Sequence, residues 1–87
     1  MSIRVLLGGG AAAVAARWQE DEFTAMLAQT VFTLSFTPLD LDTVTVRVNG
    51  VLYDDVADWT VLATTLTWLD TPFALAAGDS VIARYIR

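Results

Sequence analysis

The chain has 87 residues, of which 55% are hydrophobic, and its ten acidic residues and five arginines give a formal charge of −5. This length predicts one domain with a modest core, and so apolar a composition favours association with other subunits. Cysteine, histidine and lysine are absent and the arginines are scattered, so we expect no enzyme, no cofactor and no nucleic-acid partner.

The first segment, residues 1–17 (MSIRVLLGGGAAAVAAR), is interpreted as an apolar arm or short helix that precedes a domain at residues 18–87. Three glycines interrupt its apolar run, which argues against a secretory signal. It is also shorter than the ~20 apolar residues that cross a bilayer, so no membrane partner is expected. Two placements remain open. The arm packs on a neighbouring subunit or host protein, or it folds back over its own domain.

The remainder of the chain predicts an all-β fold. Short period-two runs separated by turn residues indicate an antiparallel β-sandwich or small barrel of about seven strands. Asn49-Gly50 tolerates positive φ and predicts a tight hairpin, and Ala63-Thr64 links a second one. The predicted strands are 22–26, 29–36, 43–49, 51–53, 58–62, 64–69 and 80–86.

The alternation along these strands also predicts which side chains face the core. The expected inward positions are Phe32, Leu34, Phe36, Val44, Val46, Val48, Trp59, Val61, Leu66, Trp68, Val81, Ala83 and Tyr85. Several other aliphatic residues fall out of phase with them, namely Val31, Leu62, Leu69, Ile82 and Ile86. Such a set indicates a second apolar face that packs between subunits. The alternative is a strand register that is shifted by one residue.

Aspartates cluster in two predicted loops, Asp40 with Asp42, and Asp54 with Asp55 and Asp58. Carboxylates spaced in this way can bind Ca²⁺ or act in pairs on a sugar. Aspartate is also a common turn residue, however, and a domain of this size offers little room for a substrate cleft. We therefore expect no metal site and no catalytic site.

Three tryptophans are candidates for a sugar-stacking platform. Trp59 and Trp68 are in phase with the aliphatic core positions, which favours a place in the core. Trp18 lies where the arm meets the domain, and tryptophan is enriched in interface hot spots. We therefore expect Trp18 to anchor a contact with a partner.

Taken in order, the strand motifs resemble a structural module of tailed-bacteriophage virions. The matching segments are 29–34 (QTVFTL), 44–51 (VTVRVNGV), 58–61 (DWTV), 65–68 (TLTW) and 77–85 (AGDSVIARY). The resemblance covers about the last 65 residues, and five such pieces in the right order are moderately specific. It implies a structural or adhesive β-domain, commonly trimeric, of the kind found in tail fibres, head or neck fibres and small capsid accessory proteins.

We interpret the chain as free-standing, with a Gly-Ala arm where a fibre would have a shaft, and in this it departs from that pattern. The expectation is therefore a virion structural protein of the capsid-decoration or head/tail accessory type. It would pack on itself as a homotrimer and on other virion proteins such as the major capsid or a tail protein. The predicted partner-interface residues are Ile3, Val5, Leu6, Leu7, Trp18, Ile82 and Ile86. The alternative is a receptor- or carbohydrate-binding domain of a phage fibre, which requires an exposed aromatic residue beside the loop at 54–58.

Overall fold

The computed structural model describes residues 17–87, which form seven antiparallel strands in two sheets. The strands are β1 (Trp18–Thr24), β2 (Val31–Thr33), β3 (Thr45–Val48), β4 (Val51–Tyr53), β5 (Trp59–Leu62), β6 (Thr65–Trp68) and β7 (Ser80–Ile86), with one 3₁₀ turn at Leu41–Thr43. One sheet has the order β1-β7-β3-β4 and the other β2-β6-β5. The all-β prediction is confirmed. Within residues 17–87 there is no helix long and apolar enough to span a bilayer.

Two strands begin and end where the sequence predicted, and five do not. β4 and β7 match the prediction, whereas β5 and β6 are shorter, at Trp59–Leu62 and Thr65–Trp68. The prediction of the first strand at 22–26 is wrong, because β1 already begins at Trp18. Asp21 occupies an inward-facing position of β1, and a charged residue there conceals the alternation of apolar and polar side chains.

The second and third strands are also shorter than predicted. β2 covers only Val31–Thr33 because the Ser35 N–H turns to the Asp21 carboxylate, at 2.9 Å, instead of to a neighbouring strand. Phe36 was predicted to face the core, but it is 41% exposed. β3 starts at Thr45 because the preceding residues form the 3₁₀ turn, which the Asp40 side chain caps.

The hydrophobic core fills the space between the two sheets. Twelve of the thirteen predicted inward positions lie in or against it, the exception being Phe36. Its buried members are Ala25, Phe32, Leu34, Val44, Val46, Val48, Trp59, Leu66, Trp68, Leu75, Val81, Ala83 and Tyr85. Burial of Trp59 and Trp68 is confirmed, and each indole N–H donates to a backbone carbonyl, that of Tyr53 and of Phe73 respectively.

The predicted hairpin turns are present and use positive φ. Asn49 and Gly50 have φ of 51° and 85°, and β3 pairs with β4 directly across them. Ala63 adopts φ of 54° between β5 and β6. Both turns therefore set the strand register, since a two-residue link allows only one alignment of the paired strands.

Candidate functional site

The outward side of the four-stranded sheet brings together three of the predicted interface residues. On this surface, called here the outer face, Trp18 of β1 is the direct cross-strand partner of Ile86 of β7. Ile82 lies four residues away from Ile86 on β7, opposite Glu22 and Arg47. Arg47 is in turn opposite Leu52 of β4. The outer face thus carries one adjacent apolar pair, Trp18 and Ile86, and two further apolar residues, Ile82 and Leu52, that Arg84 and Arg47 separate from it and from each other.

Exposure of these side chains shows how much surface is left for a partner. Trp18 is 53% exposed and Leu52 is 54% exposed, while Ile82 and Ile86 are half-buried. These side chains share the face with the charged residues Glu20, Glu22, Arg47 and Arg84. Val31 and Leu62 are exposed too, but they lie on the outward side of the other sheet. The out-of-phase residues therefore do not form a single surface.

Charges on the outer face are arranged in columns. Glu20 and Glu22 lie on β1 at the sheet edge, and Arg84 and Arg47 lie on the two central strands. Arg84 is directly opposite Glu20, yet its guanidinium carbon lies 4.2 Å from the centre of the Trp18 ring. Stacking of this kind is attractive because the guanidinium is positive and the face of the indole ring is negative.

Near Arg17, where residues 1–16 join the domain, further apolar side chains are exposed. The Leu39 N–H donates to the Ile86 carbonyl at 2.7 Å, which extends the surface beyond β7. The next residue, Arg87, stacks on Phe36 with its guanidinium carbon 4.3 Å from the ring centre. Leu39 is 70% exposed. Exposed apolar side chains are therefore also present at this end of the molecule, next to Ile86.

Residues 1–16, with the predicted interface positions Ile3, Val5, Leu6 and Leu7, lie outside the described residues. Their role remains a prediction. The structure does show where the arm begins: the Arg17 carbonyl accepts from the Arg87 N–H at 2.8 Å. The arm therefore starts beside Ile86 and Trp18.

A buried carboxylate that sequence reasoning missed lies on the inner side of the same sheet. Asp21 is only 7% exposed, and it accepts hydrogen bonds from the Tyr85 hydroxyl, the Ser35 N–H and hydroxyl, and the Gln19 amide. Burial raises the pKa of Asp21, but these donors outweigh burial and hold the pKa below its usual value. The only sequence signal is its position in phase with Phe23 and Ala25.

Tyr85 is the other half of this polar cluster. Burial, followed by the hydrogen bond to Asp21, raises the pKa of Tyr85 to about 12. The hydroxyl also accepts from the Phe36 N–H at 3.2 Å. All the donors to Asp21 come from the domain itself, so this cluster joins β1 and β7 to the segment that follows β2.

The acidic loops serve as turns. An oxygen of Asp58 accepts from the Asp54 N–H at 2.9 Å, and an oxygen of Asp40 accepts from the Asp42 N–H at 2.9 Å. Within residues 17–87 no group of three acidic residues is arranged to hold a metal ion. The calcium alternative therefore has no geometric support in this part of the chain.

One turn in the second acidic loop is strained. Val56 has φ of 69°, and the Ala57 N–H donates to the Asp55 carbonyl at 2.7 Å, which together define the rare classic γ-turn. Val56 is 72% exposed. It lines an open depression of about 340 Å³ with Leu41, Asp42, Asp55, Trp59, Thr60 and Val61. The depression combines apolar walls with two carboxylates and has no nucleophile and base in contact.

No protein-family model and no curated protein matches this chain.

Proposed function

We propose that this protein is a structural component of a bacteriophage virion, of the capsid-decoration or head/tail accessory kind, that acts through packing of subunits. The observation that carries the proposal is the position of Trp18, Ile82 and Ile86 on one outer face, next to the start of the arm. A phage origin is supported by the ordered strand motifs, and an assembly role by the exposed apolar surface.

The mechanism of such a protein is burial of apolar surface. An outer face that packs on a second subunit or on a capsid protein removes the exposed part of Trp18 and Leu52 from water, and each buried Å² contributes roughly 25 cal/mol. Trp18 stacks against Arg84, and tryptophan and arginine are both enriched among interface hot spots. The homotrimer expected from the resemblance is one such assembly.

The alternative role, a receptor- or carbohydrate-binding domain, requires an exposed aromatic platform beside the loop at 54–58. Trp59 is 3% exposed and Trp68 is 2% exposed. Tyr53 is half-buried and packs edge-on against Trp68 and Phe73. Aromatic faces that are packed against one another are not free to stack on a sugar ring, which favours the assembly role.

The experiment is a measurement of solution mass by light scattering for the full-length protein and two triple variants. The test variant carries Trp18→Ser, Ile82→Ser and Ile86→Ser. The control carries Val31→Ser, Leu62→Ser and Thr67→Ser on the outward side of the other sheet. We expect a trimer or larger assembly for the native protein and the control, and a folded monomer for the test variant. A native monomer, or a test variant that still assembles, contradicts self-packing through this face.

Virion membership is tested separately. Particles purified by density from a host that produces this chain are digested and analysed by mass spectrometry. We expect peptides of this protein to remain with the particles in a constant ratio to the major capsid protein. Loss of those peptides on purification contradicts the virion role.

A further inference from the structure

The turn between β3 and β4 carries the only asparagine of the chain, Asn49, directly before Gly50. Asparagine is among the thermolabile residues of proteins, above all before glycine, whose missing side chain leaves the next main-chain nitrogen unhindered. In this reaction the Gly50 nitrogen attacks Cγ of Asn49, ammonia leaves, and a five-membered cyclic imide forms. Water then opens the imide to aspartate or isoaspartate, so that one amide and one water give one carboxylate and one ammonia.

The nitrogen that attacks is accessible in the folded domain. Gly50 is exposed, and the space where a Cβ would lie is open. Among residues 17–87 the Gly50 N–H has no hydrogen-bond acceptor. In this part of the chain the nucleophile is therefore neither covered nor engaged, and the conformation of the turn decides whether it can react.

The conformation of the folded turn prevents ring closure. The ring contains Cβ, Cα and the carbonyl carbon of Asn49 together with the Gly50 nitrogen, so Cβ and that nitrogen must lie on the same side of the Cα–C bond. Positive φ at both residues, 51° and 85°, identifies a type I′ turn. In that turn ψ of the first residue is about +30°, which places Cβ and the nitrogen on opposite sides. The reaction therefore requires the turn to open.

Contacts with the segment that leads into β7 hold the turn closed. Nδ2 of Asn49 donates to Oδ1 of Asp79 at 3.1 Å, and Oδ1 of Asn49 accepts from the Ser80 N–H at 2.9 Å. The Asn49 N–H donates to the Ser80 carbonyl at 2.8 Å. These three hydrogen bonds extend the sheet beyond the pair of Val48 and Val81, and they fix the amide away from its own main chain.

Opening of this hairpin exposes little apolar surface. β4 is three residues long and lies at the edge of its sheet, with β3 as its one neighbouring strand among residues 17–87. Val51 and Leu52 are already more than half exposed. Local opening is easiest where few buried contacts are lost. The hydrogen bonds of Asn49 are therefore important for keeping the turn closed.

We infer that Asn49-Gly50 is a site of spontaneous deamidation whose rate is controlled by the contacts of Asn49 with Asp79 and Ser80. The reaction takes place in the open turn, so its rate follows the fraction of molecules in which the turn is open. The inference is independent of the proposed function, because it concerns the hairpin of a single chain.

Both products hinder reclosure of the turn. Aspartate at position 49 has no donor for Asp79 and places a second carboxylate beside it. Isoaspartate adds a methylene group to the main chain of a two-residue link, which changes the alignment of β3 and β4. Deamidation therefore loosens β4, the strand that carries Leu52 of the outer face.

Mass spectrometry of the full-length protein and of its peptides follows the reaction and separates Asn49 from the two glutamines. The native protein is incubated at neutral pH with and without concentrated urea. The test variant is Asp79→Ala. The matched control is Asp40→Ala, which also removes a carboxylate that accepts a backbone N–H, but in a turn that does not contact Asn49.

We expect deamidation to be several-fold faster in urea than in the folded native protein. It should also be several-fold faster in folded Asp79→Ala than in the native protein or in Asp40→Ala. Equal rates with and without urea would show that the turn does not protect Asn49, and no reaction in urea would refute the site itself. Equal rates in Asp79→Ala and Asp40→Ala would refute control by Asp79.

A comparison at matched stability distinguishes opening of the turn from unfolding of the whole domain. Urea is added to the native protein until its free energy of unfolding equals that of Asp79→Ala. A deamidation rate that is still higher in Asp79→Ala supports local control. Equal rates at matched stability overturn local control and assign the reaction to globally unfolded molecules.

The effect of the product is measured with Asn49→Asp beside Asn49→Gly, which tolerates the positive φ and adds no charge. Repulsion between the two carboxylates is weakened by salt. Added salt should therefore raise the midpoint of thermal unfolding more for Asn49→Asp than for Asn49→Gly. The same increase in both variants would refute repulsion from Asp79 as the reason that the product loosens the turn.

Discussion

The Tyr85 hydroxyl donates a 2.6 Å hydrogen bond to Oδ2 of Asp21 in the interior of the domain. The two residues are not direct cross-strand partners, because Asp21 lies opposite Ala83 and Tyr85 lies opposite Gln19. The side chain of Tyr85 therefore reaches diagonally across the ladder, and its oxygen also accepts from the Phe36 N–H. One hydroxyl thus ties β1 and β7 to the chain that leaves the second sheet.

Removing that hydroxyl should destabilise the fold. Tyr85→Phe leaves the Phe36 N–H without its acceptor and removes one donor from a buried carboxylate, so we expect a loss of about 1–3 kcal/mol in the free energy of unfolding. Urea denaturation measures it. Tyr53→Phe is the matched control, because the Tyr53 ring packs against Trp68 and Phe73 and keeps those contacts. Equal losses for the two variants would show that the hydroxyl is not the cause.

Low pH should remove the contribution of the Asp21 carboxylate to the free energy of unfolding. Burial opposes the charge, but hydrogen bonds led by that of Tyr85 hold the folded-state pKa of Asp21 below its usual value. The stabilisation is therefore present above the unfolded-state pKa and lost as pH falls through the folded-state pKa. Asp21→Asn should be less stable at pH 7 and should show a flatter decline of unfolding free energy below about pH 4.

Asp79 also has a lowered pKa, caused first by the hydrogen bond from Asn49. It is a surface group, so added salt should weaken its effect more than that of Asp21. The free energy of unfolding, measured against pH at low and at high salt, separates the effect of Asp79 from that of Asp21. If the decline in stability at acid pH and high salt is the same in Asp21→Asn as in the native protein, that decline is not caused by Asp21.

High pH should destabilise the domain through ionisation of the Tyr85 hydroxyl. Its pKa is raised to about 12 by burial and by the hydrogen bond to Asp21, against about 10 in an unfolded chain. The folded state therefore holds this proton more tightly, and its contribution is complete below pH 10 and is lost as pH rises toward 12. Unfolding measured between pH 9 and about 12 should show a steeper decline for the native protein than for Tyr85→Phe. Parallel curves would refute this.

Relieving the γ-turn should stabilise the domain. Val56 combines a β-branched side chain with φ of 69° and is 72% exposed, so Val56→Gly removes backbone strain at little cost in packing. We expect a gain of about 1 kcal/mol, after allowing for the larger entropy of glycine in the unfolded chain. Val51→Gly, in regular strand β4 and 55% exposed, should lose stability in the same thermal-unfolding assay. A loss at both positions would show that Val56 is not strained.

Some of the candidate site was predictable because it depends on alternation alone. Ile82 and Ile86 lie out of phase with the buried Val81, Ala83 and Tyr85, and that phase places them outward wherever β7 lies in the fold. Trp18 was expected at a contact because of its position beside the arm. That it is the direct partner of Ile86 depends on pairing between two residues that are 68 positions apart in sequence, which periodicity does not encode.

Residues outside regular strands were the least predictable. Leu75 lies between the predicted strands 64–69 and 80–86, yet it is 1% exposed and its carbonyl accepts from the Ala28 N–H at 2.8 Å. Asp21 was concealed in the same way, since a carboxylate in a charged run normally indicates solvent. In both cases the environment is supplied by distant parts of the chain.

By itself, the sequence determined the all-β class, the seven strands, the Asn49-Gly50 turn and most of the core, because alternation and turn chemistry act over a few neighbouring residues. Only the tertiary structure decided that β1 pairs with β7, that Asp21 is buried beneath Tyr85, and that Trp18, Ile82 and Ile86 share one face. These are contacts between distant segments. They are set by how two twisted sheets pack and satisfy their buried polar groups, which no local pattern specifies.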